Sequence, residues 1–308
     1  MRTVVQNSYG SPEVLEVVEL PTPTPGPEQV LVAVRAAALN PVDLAMRAGG
    51  MAAAIGEPFP LGLGWDVAGT VEAVGEGVTR WSVGDEVVGL RDEFVGPTGA
   101  VASHVVLPAD AVATTPAGVS PEAAATFPLN TLTAHQALDL LRLEPGRSVV
   151  VTGAAGGVGD YLVALAARRG LRVIGVARAD DEAGVRANGA TDFATGSEIG
   201  QAVRALLPEG ADGLVDAAQV GQTALAAVRD GGSFVAVSDP SEPPAERDIT
   251  VATVHVHHDA EQQAELVRLV ESGVLRLRVA ATYSLDDVAK AHEAAAQPGL
   301  RGRVVVTA

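Results

Sequence analysis

The run Val149-Val150-Val151-Thr152 leads into Gly153-Ala154-Ala155-Gly156-Gly157-Val158-Gly159, and an apolar, helix-forming stretch from Tyr161 to Ala167 follows. Strand, glycine-rich turn and helix in that order make a site for the pyrophosphate of a dinucleotide. The glycines let the backbone turn tightly and come close to the phosphates. The start of the helix offers N–H groups and a partial positive charge. The next β-branched run, from Arg172 to Ala177, ends without an acid. Ala177 stands where a ribose-binding carboxylate would select NAD, and Arg178 follows it. A guanidinium suits a 2′-phosphate through paired hydrogen bonds, so this reading favours NADPH. Asp180 and Asp181, just downstream, can cap the next helix or reach a ribose; capping is the commoner use of Asp at such a place.

Other chemistries find less support. There is no cysteine, which excludes disulfides, thiolate catalysis and thiolate zinc sites. The imidazoles are His104, His135, His255, His257, His258 and His292. His255 and His257 have the spacing of a metal pair on one strand face, but the favoured reading is loop or surface histidines. No Ser–His–Asp set or hydrolytic carboxylate pair can be defended. The net charge of −17 argues against nucleic acid or an anionic membrane as partner and suits a soluble chain. No segment approaches the roughly 18 uninterrupted apolar residues that span a bilayer. Met1 to Asn7 lacks the apolar centre of a secretory signal, so the expected location is the cytoplasm.

The elements that must position these residues fall into two textures. Residues 1–119 read as β-rich: strands are expected at Met1–Gln6, Val14–Val18, Val30–Ala36, Gly69–Val74, Glu86–Gly89 and Ala102–Leu107, with 49–60 as a flexible loop. At Ser120-Pro121-Glu122 the pattern changes to a capped helix start, and residues 121–128 and 131–142 read as helical. From 148 onward strands and helices alternate, which predicts a doubly wound parallel sheet. Its strands are Ser148–Thr152, Arg172–Ala177, Thr191–Ala194, Gly213–Asp216 and Gly232–Val237; its helices are 158–169, 181–188, 197–207 and 221–229. Beyond about 255 come a helix at 259–272, a strand at 279–283, a helix at 285–296 and a strand at 302–307.

Four separated blocks match one family: Ala38-Leu39-Asn40-Pro41-Val42-Asp43, the stretch from Pro60 to Val71 around Gly64-Trp65-Asp66, Val83-Gly84-Asp85-Glu86-Val87, and the Gly153–Gly159 turn. In this order the chain resembles the zinc-free medium-chain dehydrogenase/reductases, the NADPH:quinone oxidoreductases of the zeta-crystallin type. The resemblance implies an α/β fold with a GroES-like β-barrel domain (1–119 and 256–308) and a Rossmann NADPH-binding domain (120–255). The active site is expected in the cleft between them. Alcohol dehydrogenases of the superfamily hold a catalytic zinc at positions that here carry Asn40, Trp65 and a residue near Leu129, so no metal is expected.

By the same resemblance Thr133 contacts the nicotinamide ring, or else simply packs or bonds a backbone carbonyl; Asn130, one turn earlier on the same helix face, can bind a ribose or the substrate. Asn40 donates to the acceptor oxygen. Asp43 either supports Asn40, relays a proton or caps the helix that starts at Pro41. Trp65 with Met46 forms an apolar wall for a flat ring or simply packs in the core, and Asp66 acts as an acceptor behind them. Ala217, Ala218, Val237 and Ser238 follow Rossmann strands and are expected to line the cofactor crevice, beside Gly153, Ala154, Ala155, Gly156, Gly157, Val158, Gly159 and Arg178. Two departures stand out. Where relatives carry a Tyr or Lys flanking the phosphate, this chain has Asp192-Phe193-Ala194-Thr195-Gly196. In the loop Val95–His104, Val101 and His104 replace aromatic residues. The implied activity is hydride transfer to a quinone or related α,β-unsaturated carbonyl, with an enoyl-thioester reductase or a non-catalytic NADPH-binding protein as alternatives. A homodimer is expected, paired through a strand such as Gly232–Val237 at the sheet edge.

Overall fold

The computed structural model describes residues 1–93 and 96–308, so Val95, which opens the atypical loop, lies outside the described residues. The chain divides into two compact units, Met1–Leu129 with His257–Ala308, and Asn130–Val256.

The first unit begins with β1 (Arg2–Gln6), β2 (Leu15–Glu19) and the long β3 (Gln29–Leu39). Helix α1 (Pro41–Ala48), the short α2 (Ala52–Ile55) and β4 (Leu61–Gly62) follow, then β5 (Asp66–Val74), β6 (Glu86–Leu90), β7 (His104–Pro108), β8 (Val112–Thr114) and α3 (Pro121–Ala124). The stretch 49–60, expected as loop, thus contains a turn of helix at Ala52–Ile55. Ser120 caps α3 by accepting from Ala123 N–H, as its sequence predicts. Because α3 packs on β3 and β5, the unit boundary falls past the texture change at 120, inside the next helix, α4 (Pro128–Leu141).

The second unit continues with β9 (Ser148–Thr152), α5 (Gly157–Arg168), β10 (Arg172–Val176), α6 (Glu182–Ala187), β11 (Asp192–Ala194) and α7 (Ile199–Leu206). It closes with β12 (Ala211–Asp216), α8 (Gln222–Leu225), β13 (Val228–Ala236) and β14 (Thr250–Thr253). The six strands run parallel in the order β11-β10-β9-β12-β13-β14. Central β9 is buried along its whole length, as a near-continuous apolar run in a parallel sheet must be. Val150, Ile174, Leu214 and Phe234 share one core beneath the sheet.

Two expectations are corrected here. Residues 221–229 do not form one helix: α8 ends at Leu225, and Val228 already pairs with Ala211. Nor is Gly232–Val237 an edge strand. It lies within β13, which is flanked by β12 and β14, so Thr250–Thr253 holds that edge.

The chain then returns to the first unit through α9 (Ala260–Glu271), β15 (Val279–Ser284), α10 (Val288–Ala295) and β16 (Arg303–Thr307). A seven-stranded sheet, β15-β16-β3-β5-β6-β8 with β7 also on β3, and a smaller sheet, β2-β1-β4, make up this unit. The register Val304↔Leu39 through Thr307↔Ala36 brings the last strand against the end of β3, just before Asn40. No helix among the described residues is long and apolar enough to cross a membrane.

One buried group gives the fold a pH dependence. His292 on α10 is fully buried, and neither ring nitrogen has a hydrogen-bond partner. Burial pushes its pKa down to about 4, with the Arg47 charge adding to the effect. The unfolded chain therefore binds a proton at His292 below about pH 6.5 that the folded chain refuses. Stability is expected to fall as pH drops from about 6.5 toward 4, by about 3 kcal/mol in total. His292→Leu is expected to remove that loss in urea unfolding at pH 7 and pH 5. An unaltered difference between the two pH values in the variant contradicts this assignment.

Candidate active site

Asn40 ends β3 in an extended conformation and starts α1, with Pro41 as the first helical residue. Asp43, three residues on, accepts from Asn40 N–H through Oδ2 at 2.8 Å, and from Gly64 N–H through Oδ1 at 3.0 Å. It is both the capping partner of the helix start and a tie to the segment that leads into β5. Gly64 itself lies at φ +104°, and a Cβ there would stand 2.5 Å from Val101 N. Only glycine lets this segment pass so close to the 96–102 stretch.

Asn40 Nδ2 donates to Asp66 Oδ2 at 2.7 Å and, over a longer 3.4 Å, to the Ala38 carbonyl. The other oxygen of Asp66 accepts from Leu129 N–H in the first turn of α4, at 2.7 Å. Asp66 thus ties together the positions expected from the resemblance to correspond to zinc ligands: it bonds the Asn40 side chain and the Leu129 backbone, and it is the chain neighbour of Trp65. An amide, an indole and an alkyl side chain do not fit as ligands for that ion. Among the described residues no group of three or more His, Cys, Asp or Glu side chains could hold a metal.

Asn40, Asp43 and Asp66 are all buried. Burial pushes both carboxyls up, each to about 7. The hydrogen bonds and the charges of Arg303, and for Asp43 also Arg91, pull the other way, and the charge of Asp43 raises Asp66 further. Burial also lowers Arg91, to about 10. Trp65 and Met46 face each other inside the unit, with the indole N–H 3.4 Å from the Met46 sulfur and both side chains buried.

In the second unit the glycine-rich turn is tight and packs closely on the helix that follows it. Gly153 takes φ +60°, and its carbonyl accepts from Gly156 N–H at 2.8 Å. Ala154 N–H bonds the carbonyl at the end of β10, Val176, at 3.0 Å. Gly156 is the extended N-cap of α5, followed by Gly157 and Val158 in its first turn, with Ala155 on the turn before it. At Gly159 a Cβ would stand 2.0 Å from the Gly153 carbonyl oxygen, so the helix packs directly on the turn.

The neighbouring strand end is locked to this turn by a pair that sequence reasoning did not single out. Thr152 Oγ1 donates to Asp216 Oδ1 at 2.6 Å and accepts from Ala218 N–H at 2.9 Å. Asp216 Oδ2 accepts from Gly221 N–H at 2.7 Å. The ends of β9 and β12 are thereby held side by side where the strand order reverses, the usual ligand position in such sheets. Ala217 follows β12 there; Val237 and Ser238 follow β13, and Ser238 Oγ lies 3.2 Å from Ser241 Oγ. The only signal for the Thr152–Asp216 pair was an Asp at a strand end.

Arg178 follows β10 with its side chain largely in solvent, 3.7 Å through Nε from Asp181 Oδ2. Asp181 occupies the N-cap position of α6, where its side chain makes no capping hydrogen bond. Asn130 and Thr133 sit three residues apart on α4, both buried. His255 and His257 follow β14 outside any strand, and His255 Nε2 lies 3.5 Å from Asp239.

Comparison with known proteins places the chain. Residues 26–117 match the alcohol dehydrogenase GroES-like domain, and residues 181–306 match the family described as zinc-binding dehydrogenase. A quinone oxidoreductase from Pseudomonas aeruginosa is 32% identical, over 97% of each chain. A 2-methylene-furan-3-one reductase from Solanum lycopersicum is 30% identical over 99% of this chain and 79% of the relative. A mycobacterial protein solved as a complex with NADPH superposes over 100% of both chains, with a TM-score of 0.85 and 29% identity. The chain belongs to the quinone oxidoreductase branch of the medium-chain dehydrogenase/reductase family, and it is an oxidoreductase.

Proposed function

We propose that the protein is an NADPH-dependent, zinc-independent reductase of quinones or related α,β-unsaturated carbonyls. The observation that carries the coenzyme choice is the end of β10, where Ala177 leaves no carboxylate for a ribose and Arg178 presents a guanidinium to solvent. The printed activities of the relatives, a quinone and a conjugated furanone, support the acceptor class.

When bound, NADPH supplies the hydride. The Gly153–Gly159 turn and the start of α5 receive its pyrophosphate through backbone N–H groups. Arg178 meets the 2′-phosphate. Ala217, Val237 and Ser238 would line the cofactor crevice, Thr133 would contact the nicotinamide ring, and Asn130 would bind a ribose or the substrate. Asn40 keeps its 2.7 Å bond to Asp66 and exchanges the long bond to Ala38 for the acceptor oxygen, where it stabilises the charge that develops on hydride arrival. Asp43 and Asp66 fix Asn40 from behind, Trp65 and Met46 back the same position with apolar surface, and solvent provides the proton. Such a sparse polar set is sufficient when the cofactor carries the difficult chemistry.

Calorimetry with NADPH and NADH, followed by absorbance at 340 nm with a panel of quinones and enones, tests this reading. NADPH is expected to bind at least about tenfold more tightly than NADH, with turnover of at least one acceptor. Equal affinity removes the role of Arg178, and no turnover with any acceptor removes the activity. Asn40→Ala is expected to lower kcat about 10- to 100-fold while NADPH affinity holds; an unchanged kcat contradicts its role. We further propose a homodimer, with β14 as the open edge of the six-stranded sheet, to be checked by light scattering.

A further inference from the structure

We infer that Tyr9 is a positioning residue for the acceptor end of the site, because it pins the segment 49–59 that joins the helix after Asn40 to the stretch of Trp65 and Asp66. The inference rests on the quinone and enone reading above. Tyr9 lies in the turn that follows β1 and is half-buried. Its ring lies against Gly49, the left-handed C-cap of α1 at φ +89°, where a Cβ would stand 3.1 Å from the ring. Its hydroxyl donates to the Gly56 carbonyl. The same ring meets Phe59 edge to face, with centroids 4.9 Å apart and planes at 68°. One side chain thus touches the start of the segment, its end and a carbonyl between them. The turn of Tyr9 also holds the helix end: Gly10 N–H donates to the Arg47 carbonyl at 3.0 Å, and Arg47 Nη1 donates to the Gly10 carbonyl.

The segment has little else to fix it. Its N–H groups bond within it: Ala54 and Ile55 to Met51, Gly56 to Ala52, Phe59 to Glu57. Every residue from Met51 to Phe59 is half-buried or exposed. A stretch with so few buried groups opens locally at small cost. The ring contacts and the hydroxyl bond of Tyr9 oppose that opening. Both ends of the segment lead into the site. Gly49 closes the helix that carries Met46 and starts after Asn40; beyond Phe59 the chain runs through β4, which pairs with β1, to Trp65. An acceptor seated between Asn40 and the Trp65–Met46 wall therefore binds beside a segment already in order. When the segment is loose, acceptor binding must also order it. Steps after binding do not meet that cost again, so the effect falls on KM rather than on kcat.

Amide hydrogen exchange on the full chain, read by mass spectrometry, joins steady-state kinetics on whichever quinone or enone the parent reduces best. In Tyr9→Ala the amides of residues 51–59 are expected to exchange at least about tenfold faster. The acceptor KM is expected to rise about tenfold, with kcat and NADPH affinity within about twofold of the parent. Tyr9→Phe keeps the ring contacts and loses the hydroxyl bond, so it is expected to fall between the two, and it carries the test if the alanine variant folds poorly. Unchanged exchange at 51–59 in both variants overturns the pin. Faster exchange with an unchanged acceptor KM, or with kcat and NADPH affinity falling together, overturns the positioning role. A parent that reduces no quinone or enone overturns the acceptor reading and this inference with it; a failure confined to the Tyr9 variants overturns the inference alone.

Discussion

Gly159→Ala is expected to abolish nucleotide binding, raising the NADPH dissociation constant at least about a hundredfold, which corresponds to about 3 kcal/mol. The added methyl would stand 2.0 Å from the Gly153 carbonyl oxygen, 2.7 Å from its carbon and 3.0 Å from Ala154 Cα. All three are backbone atoms, so no side chain can swing aside. The helix α5 must lift from the turn, and the N–H groups at its start leave the positions from which they meet a pyrophosphate. Gly184 is the control. It lies in α6, a Cβ there meets nothing within 4 Å, and Gly184→Ala is expected to raise stability by about 0.5–1 kcal/mol through helix propensity alone. Calorimetry and thermal unfolding of both variants check the contrast. A Gly159→Ala protein that binds NADPH like the parent contradicts the packing argument.

The second large effect concerns Asp66. Asp66→Leu removes the carboxylate that now accepts from both Asn40 Nδ2 and Leu129 N. Each buried hydrogen bond lost costs about 1–3 kcal/mol, so a loss of about 2–4 kcal/mol is expected in urea unfolding. Asp66→Asn retains one acceptor and is expected to cost less. The two variants also differ from the parent in pH dependence. Burial raises the carboxyls of Asp66 and Asp43 above their usual range, so the folded chain holds protons that the unfolded chain releases. This contribution favours the fold at low pH and is lost as pH rises from about 4 through 7. It opposes the His292 effect. Asp66→Asn is expected to weaken the fall in stability over that window; a steeper fall contradicts it.

The glycine turn and the elements that flank it were legible because their signals are local. The glycine spacing from Gly153 to Gly159 and the alternation of apolar strands with helices both act within a few residues, and the structure realises them as β9, the turn and α5. The failures came where distant partners decide. Residues 221–229 carry helical spacing, yet Val228 is captured by Ala211 in a parallel pair, and the four-residue β14 exists because Ser233–Ala236 offers it a ladder. The short β8 and the helical turn Ala52–Ile55 were too brief for a periodic signal. Asp66 joins Asn40 and Leu129 across 26 and 63 residues of sequence, and Thr152 meets Asp216 across 64. No local pattern encodes such ties. The sequence names the acid at each place, and only the fold supplies its partners. Asp43 was readable as a support for Asn40, a proton relay or a helix cap; its bond to Asn40 N–H is the capping bond.

The most direct test follows deuterium from the 4-position of NADPH into product, with chelator-treated protein and an enone acceptor, whose β-carbon keeps the label where a hydroquinone O–D would exchange with water. Deuterium transferred to the acceptor at an undiminished rate, with zinc absent by elemental analysis, is the predicted result. A reaction that stops on chelation and returns with added zinc, or an acceptor that stays unlabelled, contradicts the account.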